Sequence, residues 1–413
     1  MKLRKQFTRY GLITILSFIF IWGVLSSNEA SFLKKLYLRA VSLPHLGVRS
    51  GLDSIRFISA GNFWAVGAYQ NYQTDRLLAL QWFHNHWIKR LAPNPGQGWA
   101  HFFNVAGYNN QHIWAVGTFA FNNSGWPRLP FRALTEFWNG SRWSIIPAAN
   151  PGKTNVFFDI CVLGPHNAWA VGGYYLAPMS FQDVQFENTS RTLIEHWNGI
   201  QWHQFSSPNP GRIASFPQPG SYLRTTGNTL SGIAFVNPRN IWAVGHYWNG
   251  HANRTLILHW NGLRWSRIYS PNASPSSNVL YSIAVSNPHR IWAVGTYRPS
   301  PSQPYQTLTL LWNGRRWSRI PSPNMPGQNN QLYSSAAYKN QVWAVGRHGN
   351  NSGSGLVLHW MDQRWILIPN QKLGNHCLNT FNGIAIGPQK LWVVGEYMNN
   401  FLHWDLAETL GRP

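Results

Sequence analysis

One seven-residue word recurs along the chain, and it constrains the fold more than anything else in the sequence. It reads FWAVGAY at 63–69, IWAVGTF at 113–119, AWAVGGY at 168–174, IWAVGHY at 241–247, IWAVGTY at 291–297, VWAVGRH at 342–348 and LWVVGEY at 391–397. The leading tryptophans, Trp64, Trp114, Trp169, Trp242, Trp292, Trp343 and Trp392, are spaced by 50, 55, 73, 50, 51 and 49 residues. The cleanest copy, residues 280–324, contains four β-like runs, SIAV, IWAVGTY, TLTLLW and RWSRI, separated by turn residues. Four short strands at such a period are the signature of propeller blades rather than of helical solenoids. The sequence therefore predicts an all-β, seven-bladed β-propeller of four-stranded blades, built as one domain over residues 28–413.

The third and fourth runs read as a hairpin. Asn-Gly stands at 139–140, 198–199, 261–262 and 313–314, a dipeptide that favours a two-residue type I′ turn. That turn pairs Trp260 with Leu263, His259 with Arg264 and Leu258 with Trp265, placing Leu258, Trp260 and Trp265 on a core face. The outward ladder then pairs His196 with Gln201, His359 with Arg364 and Phe137 with Arg142. Copies one and six carry Phe83-His84 and Met361-Asp362 at the turn instead. The seventh copy supplies three strands and lacks the fourth. YLRAVSLP at 37–44 aligns with WSRIPSPN at 317–324, so a strand at about 37–43, with Arg39 at the place of Arg319, is expected to close the ring.

The WAVG strand followed by H-W-N-G-x-x-W resembles the repeats of exported bacterial β-propellers. These are distantly similar to kelch or galactose-oxidase-like propellers and to neuraminidase-type and photosystem-assembly-factor-type repeats. The resemblance covers about residues 50–405 and implies the propeller fold; such propellers include hydrolases, oxidases, lectins and scaffolds. The neuraminidase-type Asp box, S-x-D-x-G-x-x-W, is not matched, because the corresponding turn here is Asn-Gly without the Ser and Asp.

Composition narrows compartment and partners. With 44% hydrophobic and 15% aromatic residues the chain is globular rather than disordered. Thirty-four Lys and Arg against 12 Asp and Glu give a formal charge of +22, which favours polyanionic surfaces. MKLRKQFTRY followed by the apolar run LITILSFIFIWGVL at 12–25 reads as a signal peptide or an uncleaved anchor over 1–27. The expected location is extracytoplasmic, secreted or membrane-tethered, which argues against nucleic acid as the partner. Surface carbohydrate, an anionic polymer or a protein are the expected partners, and the chain is expected to be monomeric. Cys161 and Cys377 fall in non-neighbouring blades and are expected as free thiols.

Repetition also filters for function: a residue recurring in phase is structural, whereas an off-phase polar or aromatic residue is a candidate for function. His196, His259, His359 and His403 read as in-phase packing residues. Glu136 and Glu195 share a position and read as structural acceptors rather than a glycosidase pair. PGKT at 151–154 is a turn, and His84-x-His86 lacks a third ligand; no cofactor or metal is expected. Asp53 and Asp159 lie on predicted innermost strands, from which a side chain can face the channel, but they do not match in phase and nothing nearby supplies a Ser-His or Cys-His pairing. Tyr72, Trp126, Tyr175, Trp248 and Tyr305 are off-phase rings on the face that carries both long insertions, roughly 175–190 and 206–228, and are the predicted ligand-binding residues. The expected function is a binding or scaffold module, with a glycan-active enzyme at the channel mouth as the alternative.

Overall fold

The computed structural model describes residues 38–44, 49–71, 74–96, 98–121, 130–176, 189–212, 226–350, 353–369, 378–388, 390–399 and 402–410. The segment 1–27, Tyr72, Trp126, Cys377 and most of both insertions lie outside them. The described residues form 28 strands, numbered β1 to β28 in chain order. In the fifth repeat, β18 (Ser277–Asn287) pairs antiparallel with the WAVG strand β19 (Arg290–Arg298), followed by β20 (Gln306–Trp312) and β21 (Trp317–Arg319).

The expected count of seven separate blades is corrected by the hydrogen bonding. The described strands form six sheets, five of four strands and one of eight. The large sheet joins the third and fourth repeats: β12 (Thr189–Trp197) pairs in parallel with β14 (Thr226–Asn237) through Thr189–Thr226 and Ser190–Gly227. Gly227 makes the join possible, since its φ is 119° and a Cβ there would lie 2.3 Å from the Ser190 carbonyl oxygen. The Asn228 amide then donates to Ser190 Oγ at 3.0 Å.

The hairpin register is corrected as well. Trp260 pairs with Trp265 and His259 with Ser266; likewise His196 faces His203, His359 faces Ile366 and Phe137 faces Ser144. In the Asn-Gly copies only the glycine takes positive φ, at 98°, 98°, 95° and 91° for Gly140, Gly199, Gly262 and Gly314, which is not type I′ geometry. The asparagine instead caps a four-residue loop: Asn261 Oδ1 accepts from the amides of Leu263 and Arg264, each at 3.0 Å. The two copies without Asn-Gly are the ones that make a two-residue turn with both residues at positive φ, His84 and Asn85 (50°, 62°) and Asp362 and Gln363 (50°, 61°). The core face is as expected, with Leu258, Trp260 and Trp265 buried.

Each WAVG tryptophan reaches into the next repeat. Trp64 packs on Trp138 and Trp143 with ring centroids 5.1 and 5.3 Å apart, and Trp242 packs on Trp312 and Trp317 at 4.9 and 5.6 Å. Trp392 of the last repeat packs on Trp82 and Trp87 of the first, at 4.7 and 5.1 Å, whereas Trp343 meets no tryptophan of the seventh repeat among the described residues and packs in a cluster with Phe381, Ile384 and Leu391. Such aromatic pairs contribute about 0.5–1.5 kcal/mol each beyond the area they bury. His196, His259 and His359 stack on the WAVG tryptophans of their own repeats at 4.4, 4.3 and 4.0 Å, a packing role.

The ring is also joined by hydrogen bonds, since β1 (Leu38–Ala40) pairs antiparallel with β28 (Leu402–Leu410). The register differs by one residue from the alignment: Ala40, not Arg39, takes the row of Arg319. It also removes His403 from the packing set. Thr409 lies opposite Trp392 where His259 lies opposite Trp242, and His403 lies opposite Met398. Glu408 falls in the row of Glu136 and Glu195.

Candidate functional site in the central channel

The recurring glycine of WAVG explains how the channel gets its side chains. Opposite each one the first strand of the repeat skips a residue, so that pairing jumps from Leu52 to Ser54, from Phe157 to Asp159 and from Leu280 to Ser282. The skipped residues around the ring are Asp53, Phe103, Phe158, Ser231, Tyr281, Tyr333 and Asn382. These are in-phase β-bulges, which re-aim a side chain out of the ladder. Only glycine fits opposite: a Cβ on Gly67 or Gly117 would lie 1.9 Å from the carbonyl oxygen of Gly51 or His101. The residue before each bulge is fully buried core, such as Leu52, Phe102 or Leu332, whereas the bulged residue is half-buried. Bulged rings of adjacent repeats meet one another, Phe103 with Phe158 at 5.5 Å and Tyr281 with Tyr333 at 5.6 Å, as residues lining a common axis must.

At the mouth on the side of the longer loops, the bulge tier carries an acidic and aromatic cluster. Asp53 Oδ2 lies 2.6 Å from His101 Nε2, and the side chains are 28% and 20% exposed. Burial pulls the His101 pKa down, but the carboxylates of Asp53, Asp75 and Glu396 outweigh it, and the net shift is upward. His101 stacks on Phe103 at 4.7 Å and lies 5.4 Å from Trp99, whose indole donates to Asp75. The carboxylate of Glu396 leans over Gly51, whose missing side chain leaves it room. Across the ring Tyr333 donates to Gln331 Oε1 at 2.9 Å, and burial pushes the phenols of Tyr281 and Tyr333 upward.

The opposite mouth is built differently. Three residues beyond the bulge, five repeats place alanine (Ala106, Ala234, Ala284, Ala336 and Ala385) and the third places Cys161, while the first repeat places Arg56. These residues line a cavity of about 330 Å³. Arg56 Nη2 lies 3.3 Å from Asp159 Oδ1, with side-chain exposures of 30% and 5%. Because the first and third repeats are not neighbours, the arginine reaches past the second repeat to make this contact. Asp159 also accepts from the amides of Ile160 and Ile233, each at 2.8 Å. Its burial pushes its pKa upward, and Arg56 and those two amides offset this only in part.

Three of the five predicted ring-platform residues, Tyr175, Trp248 and Tyr305, lie among the described residues. Tyr72 and Trp126 lie outside them. Tyr175 ends a strand and is buried; burial pushes its phenol up to about 12, opposed by a hydrogen bond with Ser190. Trp248 is half-buried beside Arg212, whose amide donates to its carbonyl at 2.7 Å. Tyr305 is half-buried under the Arg298 guanidinium, 5.3 Å from its ring centroid, and near enough to Tyr281 to perturb it. Glu195 Oε2 accepts from the Ala149 amide at 3.0 Å, the expected structural bond, whereas among the described residues neither oxygen of Glu136 has a partner. Asp53 and Asp159 do lie on innermost strands, but sequence reasoning missed Arg56, His101 and Glu396. Arg56 interrupts a column of alanines, which is the signal that could have found it, whereas His101 and Glu396 stand in columns that already vary, with Gln331 in the first and His246 and Arg347 in the second.

Comparison with solved structures returns propellers. YCF48 bound to D1 peptide matches with TM-score 0.52 and 14% identity, over 90% of this chain and 94% of that one. The fold is a β-propeller. YCF48 from Cyanidioschyzon merolae follows with TM-score 0.51 and 17% identity over 91% and 98% of the two chains. The phage phi92 endosialidase gives 0.50 and 10% over 91% and 69%. At such identities the likeness is one of fold alone. No family model matches the sequence, and neither does any curated protein.

Proposed function

We propose that the protein is an exported β-propeller, secreted or tethered by its N-terminal segment, that works as a binding or scaffold module and takes its ligand at the loop-side mouth of the central channel. The observation that carries this reading is the convergence of off-phase residues there. The chain has 12 acidic residues in all, and three of them, Asp53, Asp75 and Glu396, act on the single His101. Around them stand Phe103, Phe158, Tyr281 and Tyr333, so a concave site offers apolar ring faces beside a few directional polar groups. Surface carbohydrate or a protein segment fits that chemistry, whereas an anionic polymer would meet the basic exterior instead. The Asp53–His101 pair also supports a second reading, a glycan-active enzyme, because it places a proton-transfer group at the mouth.

The test is a glycan, peptidoglycan and peptide binding screen on the purified protein, with peptides included because YCF48 has been seen with one. A ligand found this way is expected to bind at least about tenfold more weakly to His101→Ala, roughly 1.4 kcal/mol, with an unchanged thermal melt, while Trp248→Ala binds as the parent does. Loss in Trp248→Ala alone would move the site to the loops. Cleaved glycan in the screen would favour the enzyme.

A further inference from the structure

The chamber at the other mouth carries chemistry of its own. Its space of about 330 Å³ would hold roughly ten waters at about 30 Å³ each, and it lies in the size range of small-molecule sites. The walls combine apolar side chains, Phe57, Ile160, Ile233, Phe235, Ile283 and Ile384 among them, with polar surface that includes Ser335 and Tyr338, and among the described residues Arg56 is the one charged residue lining it. A guanidinium in such surroundings is costly to desolvate. The fold does not demand it, since alanine fills the same position in five other repeats.

Nor is Arg56 used up by Asp159. Among the described residues its guanidinium makes one hydrogen bond, through Nη2 at 3.3 Å, longer than the roughly 2.7–2.9 Å of a tight charged pair. Asp159 meanwhile also accepts from two backbone amides. The guanidinium has five donors in a flat fork, and the side chain, 30% exposed, opens on the chamber it lines.

We infer that this chamber binds a small monocarboxylate with an apolar body, its carboxylate on Arg56 and its body against the isoleucine and phenylalanine walls. A carboxylate matches the planar fork in shape and charge. A neutral guest would leave the guanidinium charge without a second counter-charge, and a doubly charged phosphate would need a second cation that the described lining does not supply. The chain's positive field draws such anions in.

Hexanoate and hexanol are the probes, titrated calorimetrically into the purified full-length protein. Hexanoate is expected to bind saturably at one site, and hexanol at least tenfold more weakly. Arg56→Gln should weaken hexanoate at least tenfold. Ala336→Leu, which fills the chamber and leaves the arginine in place, should do the same with an unchanged circular dichroism spectrum. Equal affinity for hexanol, absence of saturable hexanoate binding, or full affinity in a folded Arg56→Gln protein would each overturn the assignment. If Arg56→Gln does not fold, Ala336→Leu decides: undiminished hexanoate binding there overturns it.

Discussion

The two mouths of the channel are made from the same strands, a few residues apart, yet they hold opposite chemistries. At the loop side Asp53 and His101 face each other in partial solvent. At the far side Asp159 is buried and Arg56 reaches past the second repeat to meet it. An exposed pair of charges gains little, typically under about 1 kcal/mol, whereas removing one partner of a buried pair strands a charge and costs several times more. The lesson is that one repeated scaffold has been given a titratable, adaptable end and a rigid, apolar one.

The largest test of that contrast is Arg56→Ala. It leaves Asp159 buried without its counter-ion and is expected to lower stability by about 3–5 kcal/mol in chemical denaturation. Adding Asp159→Asn should restore most of the loss. A single-mutant loss under about 1 kcal/mol would mean that the backbone amides alone support the carboxylate, and the two mouths would then differ less than argued.

Next comes the comparison of partnered with unpartnered carboxylates. Burial raises the Glu136 pKa to about 9 from its ordinary value of 4.5, so the folded protein keeps it protonated while the unfolded chain ionises. Stability is therefore lost as pH rises from 4.5 towards 9, by up to about 3 kcal/mol at pH 7 at roughly 1.36 per unit. Glu136→Leu, the residue in this row at Leu80, Leu258, Leu310 and Leu358, should stabilise the fold by up to that amount at pH 7. At pH 4.5 it should gain little. Glu195, raised only to about 7 and bonded to the Ala149 amide, should gain less from the same change.

The smallest effect belongs to the loop-side pair. Because the folded His101 pKa is raised, its contribution is complete below the ordinary histidine value of 6.5 and fades as pH climbs through the folded value, amounting to no more than about 1 kcal/mol. Asp53→Asn should move the histidine titration downward, as followed by NMR. A titration that stays put would show that Asp53 is not its main partner.

Much of the architecture was legible because the repeated word reports packing: tryptophan, alanine and valine fill the girdle, and the turn residues separate the strands. What misled was local. Asn-Gly reads as a type I′ turn, but here the asparagine side chain caps a longer loop, and the hairpin slides accordingly. The HW at 403–404 mimics the hairpin word, although pairing places Thr409 there. The channel was only half visible, since period-two alternation cannot see a bulge that inserts a residue. Arg56 reads as one more surface base in a chain of 34 Lys and Arg, and only its column of alanines marks it as an exception. The parallel join at Gly227 depends on a backbone approach that no side-chain pattern announces.

The bulge itself has an evolutionary consequence. A residue hung outside the hydrogen-bonded ladder answers to neither of the demands that fix its neighbours, strand pairing and core volume. The positions before it stay Leu or Phe, while the bulged set runs through Asp, Phe, Ser, Tyr and Asn. The lumen can therefore be rewritten one residue at a time, at Ser231 or Asn382 as readily as at Asp53, with the scaffold indifferent to the edit. A ring built this way can change what it holds faster than it changes its shape.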